Sequence, residues 1–183
     1  MRTGARERSA RETDPDTAAT PATQVRLTPS TVARGGRQVV NIDGYVPYFL
    51  NAINNALTRG ASQYYLREFG VGIVEWRIVS MLAIESHISA SRIVDVVQLD
   101  KSATSRGLRD LQDKGFVTSE THQTDARQRL WWLSRSGYAL HDRILAVALE
   151  RERHLLEGID AADFEITLRV MRRMNQNVRT LPG

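Results

Sequence analysis

Leu99-Asp100-Lys101-Ser102-Ala103-Thr104-Ser105-Arg106-Gly107-Leu108-Arg109-Asp110-Leu111-Gln112-Asp113-Lys114-Gly115-Phe116-Val117-Thr118 decides how this chain folds. Thr104, Leu108 and Leu111 recur at helical spacing on one face, and Ser102, Arg106 and Arg109 fall on another. The spacing predicts a helix from Lys101 to Lys114, stopped at Gly115, with a strand over Phe116-Val117-Thr118. The first face is what a core would take. The second turns hydroxyl and guanidinium groups outward from the helix N-terminal half, where backbone N–H groups also favour an anion. Any surface helix has an exposed polar face, so this helix alone does not decide between a reading surface and a solvated one.

On the N-terminal side, only Gln98, Leu99 and Asp100 separate this helix from another, Ala90 to Val97, for which Ser89 is the expected cap. The run Ile93-Val94-Asp95-Val96-Val97 suits a strand on propensity alone, but the flanking pattern favours helix. A further helix is expected from Val74 to Ile84, burying Trp76, Val79, Met81 and Leu82. On the C-terminal side, Arg129 to Ser134 alternates as a second strand, and His122-Gln123-Thr124-Asp125-Ala126-Arg127 forms the polar tip between the strands. Helix, helix, helix and β-hairpin, with a three-residue connection before the last helix, is the order of a winged helix-turn-helix. The tip sharpens the reading. Asp125 stands two residues before Arg127 and can hold its guanidinium by a charge-assisted contact, so that it enters a narrow minor groove. An ordinary loop salt bridge is the alternative.

Longer helices flank this unit. Val46, Phe49, Leu50, Ile53, Leu57 and Tyr64 mark one that ends near Phe69, with Asp43 as its expected N-cap and Pro47 in its first turn. Another runs from Ser136 to Glu157. A last one, Ala161 to Val178, opens with Asp160 and Asp163 as a capping pair and carries Phe164, Leu168, Met171 and Met174 on one stripe. Tyr45, Tyr48, Phe49 and Leu50, added to that stripe, exceed what one small lobe can hide. Trp131 alternates with Leu133 and is expected in the core; Trp132 then covers the opposite face of the wing.

The chain has 183 residues, 42% hydrophobic and 25% charged, which suits one globular domain. It has no cysteine, so disulfides, zinc-thiolate sites and iron–sulfur clusters are excluded. No apolar run is long enough to span a membrane and the N-terminus lacks the apolar stretch of a secretion signal, so a cytoplasmic protein is expected. The net charge is only +4, but the cations are 23 Arg against 2 Lys, and Arg presents a planar donor fork suited to phosphate and guanine. Residues 1 to 43, rich in Arg, Thr, Ala and Pro, are expected to form a disordered basic tail, serving either as a groove-following arm or as a solvated extension. Glu150 and His154, four apart, could hold a metal only with ligands from another chain; a solvated pair is the simpler reading. No Gly-rich phosphate loop, paired carboxylates or Ser–His–Asp arrangement points to an enzyme, and no cofactor is expected.

Leu99 to Arg106, followed by Leu111 to Val117, resembles the recognition-helix segment of MarR-family transcriptional regulators. Asp125-Ala126-Arg127-Gln128-Arg129-Leu130-Trp131-Trp132-Leu133-Ser134-Arg135-Ser136-Gly137 is similar to that family's wing signature, Asp-x-Arg followed by Leu-Thr-x-x-Gly, with Ser134 where Thr is usual. The resemblance spans about residues 44 to 180. It implies a mainly α, winged helix-turn-helix fold with a two- to three-stranded wing. The domain would occupy residues 44–183, with the winged unit over 74–135 and interlocking dimerisation helices over 44–70 and 136–180. It also implies a homodimer on a pseudo-palindromic double-stranded DNA site, acting as a repressor. Contacts would fall to Ser102, Ala103, Ser105, Arg106 and Arg109 on the helix, and to Arg127 with Asp125 as its orienting partner on the wing. A small aromatic or phenolic effector is implied where the dimerisation helices meet the winged lobe, with Tyr48, Asn51, Tyr64, Tyr65, Trp76, Arg77 and Met81 as candidate lining. On the residues alone, Trp76 and Met81 serve equally well as core and Arg77 as surface. The alternative is a winged ligand-binding or interaction module that does not read DNA.

Overall fold

The computed structural model describes residues 26–121 and 128–181. Two compact units divide the chain, Met1–Ile53 and Asn54–Gly183.

In the first unit, β1 (Thr31–Arg34) pairs antiparallel with β2 (Arg37–Val40), from Thr31↔Val40 to Arg34↔Arg37. The two-residue loop is Gly35-Gly36, with φ of +56° and +74°, the pair of left-handed residues that a tight hairpin turn demands. A 3₁₀ turn, Ile42–Gly44, leads into α1 (Val46–Phe69). The expected disordered tail therefore fails from Thr31 onward. Its composition is tail-like, but Thr-Val-Ala-Arg and Arg-Gln-Val-Val flank a Gly-Gly turn, and local pairing satisfies their backbones. The base is tied as well: the Asn41 N–H donates to the Ser30 carbonyl at 2.8 Å, and the Asn41 side-chain amide donates to the Pro29 carbonyl at 2.9 Å. Asp43 is not the cap of α1. It lies within the 3₁₀ turn, and Tyr45 separates that turn from the helix.

The second unit takes the rest of α1, then α2 (Ile73–Ile84), β3 (Ile88–Ser89), α3 (Ala90–Val97), α4 (Lys101–Asp113), β4 (Val117–Thr121), β5 (Arg129–Leu133), α5 (Arg135–Leu155) and α6 (Ala161–Val178). Ser89 and Asp160 cap their helices as expected, accepting from the Arg92 and Asp163 N–H groups, while Asp100 accepts from Ala103 and Ser134 from Gly137. The sheet order is β3-β5-β4, all antiparallel, with Ile88 opposite Trp131 and Val117 opposite Leu133. The two-residue β3 makes the wing three-stranded.

The core joins Ile78, Val79 and Leu82 of α2, Ile93 of α3, Leu108 and Leu111 of α4, Trp131 and Leu133 of β5, and Leu140 and Ile144 of α5. The β-branched run at 93–97 is helical because a 3.6-residue period points Ile93 into this core behind the Ser89 cap. Where α4 crosses α2, a Cβ on Gly107 would stand 2.7 Å from Ile78 Cδ1, so the helices approach closely there. By contrast α6 buries none of its residues; Phe164, Leu168 and Met174 are half-buried and Met171 is exposed. No helix among the described residues is long and apolar enough to cross a membrane.

Candidate nucleic-acid interface and effector cleft

The position of α4 follows from its burial. Thr104, Leu108 and Leu111 are fully buried, which turns Ser102, Ser105, Arg106 and Arg109 to solvent and leaves Ala103 half-buried. Asp100 caps the helix: its carboxylate accepts from the Ala103 N–H at 2.9 Å and from the Ser102 hydroxyl at 2.8 Å. The Ala103 backbone bond, then the Ser102 hydroxyl and the field of Arg106, hold the Asp100 carboxyl below the usual carboxylate range. Ser102 thus spends its proton on the cap and can offer an incoming group only its lone pairs. Arg109 is steadied along the helix, its Nε donating to the Ser105 carbonyl at 3.3 Å.

The preceding helix is fixed against α2 by Arg92, whose Nη2 donates to Glu85 at 2.9 Å and whose Nε reaches both carboxylate oxygens at 3.2 Å. Between α3 and α4, Gln98 adopts the left-handed conformation with φ +55°, which ends α3 in one residue. The sequence placed this turn correctly.

The root of the wing is a junction of close contacts. Ser134 donates its hydroxyl to the Gly115 carbonyl at 2.7 Å and accepts from the Gly137 N–H at 3.0 Å; its own N–H donates to the Phe116 carbonyl at 3.0 Å. A Cβ on Gly137 would meet the Phe116 oxygen at 2.0 Å, so only glycine fits there. The Leu-Ser-x-x-Gly pattern therefore has a physical reason: a hydroxyl to cap α5, and no side chain where α5 meets the start of β4. Trp131 lies in the core as expected, with the Arg129 guanidinium 5.5 Å above its ring centre. Trp132, on the other face, stacks on His87 with ring centres 4.5 Å apart and planes 13° off parallel. His87 reaches that position from a left-handed backbone, φ +59°. Nothing local in the sequence marks this pair, because the stack follows from carrying the β3–β5 register one step past Ile88. Asp125 and Arg127 lie outside the described residues.

A cleft of about 310 Å³ opens between α1, α2 and α5, lined among others by Thr58, Ala61, Tyr65, Arg77, Arg151 and Glu152. Burial raises the Tyr65 phenol above its ordinary value, and the neighbouring Arg151 guanidinium works the other way. Of the residues singled out from sequence, Tyr65 and Arg77 meet here. Tyr64, Tyr65, Phe69 and Trp76 form a cluster of edge-on and tilted rings with neighbouring centres 6.2–6.3 Å apart, and Trp76 also packs on His141 at 5.6 Å. Met81 is core. Tyr48 and Asn51 belong to the first unit, where both are exposed. Arg151 and Glu152 were missed, since nothing local in α5 says which of its charges will face α1.

Elsewhere, Glu150 is bound by Arg153 at 2.7 Å and lies 3.3 Å from His154, and no metal-ligand cluster occurs among the described residues.

A sequence profile of the MarR family matches residues 69–128, which run from the end of α1 to the residue before β5. The solved structure of a MarR/EmrR family transcriptional regulator from Acinetobacter sp. ADP1 is 31% identical, with a TM-score of 0.72 over 78% of this chain and 100% of that one. The chain belongs to the MarR family. Its members are DNA-binding transcriptional regulators rather than enzymes. A curated relative, an uncharacterized HTH-type transcriptional regulator of Bacillus subtilis (strain 168), is 26% identical over 61% of this chain and 68% of its own length. The same fold occurs in the Staphylococcus aureus MepR–DNA complex, 19% identical with a TM-score of 0.65 over 73% of this chain and 97% of that one. In this MarR-family chain α4 is the second of two helices joined by the short turn at Gln98, the place a helix-turn-helix gives its second helix.

Proposed function

We propose that this regulator acts in the cytoplasm, binds a pseudo-palindromic duplex as a homodimer, represses transcription, and is released by a small aromatic acid. The exposed Ser105–Arg106–Arg109 face of a helix whose opposite side is fully buried carries the reading. A helix so fixed can present guanidinium groups to guanine edges and phosphates without reorganising. The bound MepR structure shares the fold, which supports a duplex as the ligand. Ser102 and Ala103 stand at the same helix end, where the Ser102 oxygen can accept from a base amino group and the Ala103 methyl can meet a thymine methyl. Arg127, steadied by Asp125, enters the flanking minor groove.

The homodimer is supported by surface that the single chain leaves open: Tyr45 just before α1, Tyr48, Phe49, Leu50 and Ile53 on α1, and Ile166, Val170 and Met171 on α6. Covering each such side chain contributes on the order of 1 kcal/mol, about half of what complete burial of a Leu or Phe is worth.

The cleft supports the effector. Its volume is at the small end of ligand pockets, which run about 300–1,000 Å³. Tyr65 and Ala61 offer apolar wall, and Arg77 and Arg151 offer two guanidiniums to a carboxylate. A ligand there bridges α1 and α5 to α2, so it favours one spacing of the reading helices over another. Selection of bound duplexes from genomic DNA tests the whole reading. Enrichment of an inverted repeat with half-sites about one helical turn apart is expected; recovery of no enriched sequence would refute it.

A further inference from the structure

The β1–β2 hairpin is tied at its base yet keeps all but one of its strand residues exposed. Its base is tied by Asn41 and by Arg26, which donates to Ser30 and, at 2.8 Å, to the Gly44 carbonyl. Gly44 is buried there, with the Pro29 oxygen so close that a Cβ would meet it at 2.2 Å. Yet Val40 and Ile42 remain 52% and 53% exposed, and every strand residue except Val32 is exposed. A lone two-stranded hairpin is marginal in water and needs a further apolar surface against it.

Its charge says what kind of surface. Over residues 26–44 the charged groups are Arg26, Arg34, Arg37 and Asp43. Arg34 and Arg37 are directly opposed at the tip, a like-charge pair that destabilises the turn until an acid comes between them. The corner joining α5 to α6 is the complement. Between Glu150 and Glu165 stand six carboxylates against two arginines, and Leu155, Ile159 and Ile166 are about half exposed. Arg153 neutralises Glu150 and reaches Glu157 at 3.4 Å, which leaves the corner with net negative charge.

We propose that the hairpin is a docking arm for a second copy of this chain: Arg34 and Arg37 pair with the acidic α5–α6 corner of the partner while Val40 and Ile42 cover that corner's exposed apolar residues. This rests on the homodimer reading above and extends it to a segment outside the helices. Two-fold symmetry repeats the contact, so one arm from each chain closes the assembly. Arginine suits the task because its fork pairs with carboxylates through two parallel hydrogen bonds.

The absence of cysteine makes the test direct. Full-length Arg37→Cys and Glu157→Cys chains, prepared separately, are mixed and oxidised. A disulfide joining the two different variants, absent from either alone, is the expected result. Failure to form it overturns the proposal, as does a doubly substituted chain that closes only on itself at dilution. In sedimentation equilibrium, Arg34→Glu with Arg37→Glu is expected to weaken dimerisation by about tenfold. Adding Glu157→Arg and Asp163→Arg should restore it. A wild-type chain that sediments as a monomer refutes the homodimer itself; a wild-type dimer unmoved by the charge reversals refutes the arm alone. Charge reversal that lowers duplex affinity without touching the dimer assigns the hairpin to DNA and likewise overturns the proposal.

Discussion

Replacing Gly137 by alanine sets helix propensity against geometry. Gly137 is the third residue of α5, where alanine is worth about 1 kcal/mol more than glycine. On propensity alone the variant should gain stability. The structure reverses the sign. The new Cβ would stand 2.0 Å from the Phe116 carbonyl oxygen, 3.1 Å from its carbon and 3.3 Å from Leu133 Cβ. A carbon ordinarily keeps about 3.3–3.6 Å from such an oxygen, so α5 and the start of β4 must part by more than about 1 Å. That separation breaks the 3.0 Å bond from the Ser134 N–H to Phe116 and strains the Ser134 cap on Gly137. Each contributes about 1 kcal/mol. Residual crowding adds about 1 kcal/mol more. With the propensity gain subtracted, the variant should lose about 2 kcal/mol, or about 4–8 °C in Tm for a domain of this size. Thermal and urea unfolding at one fixed protein concentration measure it, since a dimer's Tm depends on concentration. Ser136→Ala, which removes one hydroxyl bond to Gly115 and adds no atoms, is the control and should cost about 1 kcal/mol at most. A Gly137→Ala chain as stable as the parent, or more so, would show that the wing root is not built as described.

Other outcomes follow from the same geometry. The Asp100 carboxyl lies below its unfolded value near 4, so the stability it contributes is present above that pH and is lost as pH falls through the folded value. Asp100→Asn keeps a cap acceptor without the charge, so its deficit in urea unfolding should be constant from pH 7 to 5 and shrink below pH 4; a deficit that grows on acidification contradicts the linkage. Arg77→Ala and Arg151→Ala should leave duplex binding in place and raise the concentration of an aromatic acid needed to release it, whereas an unchanged release curve removes the cleft from the proposal. Arg127→Ala should weaken binding to all duplexes and soften the preference for A·T flanks, and unaltered affinity would remove the wing tip from the interface.

The sequence revealed most where a local rule has one solution. Ser89 and Asp160 are the caps expected at their helix starts, and each accepts a backbone N–H there; Asp100 and Ser134 cap α4 and α5 by the same local rule. The alternation of Trp131 and Leu133 identified the buried face of β5. The Gly35-Gly36 turn is equally local, but two four-residue strands carry too little pattern to stand out from a stretch whose composition is that of a tail. The two-residue β3 carries too little pattern to be seen and is made by pairing with Trp131 and Leu130. The cleft was only half legible. Arg77 and Tyr65 stand out by type, but Arg151 joins them through the packing of α5, and Trp76 is drawn instead into the cluster with Tyr65 and His141. The exposed polar face of α4 was legible because its two faces differ so sharply in chemistry.

Duplex binding by Arg106→Ala, measured against the parent on the selected inverted repeat and on an unrelated duplex of equal length, tests the central claim most directly. If α4 reads bases, the variant should lose about 1–3 kcal/mol on the repeat and much less on the unrelated duplex. Equal losses on both, or none on either, would contradict it.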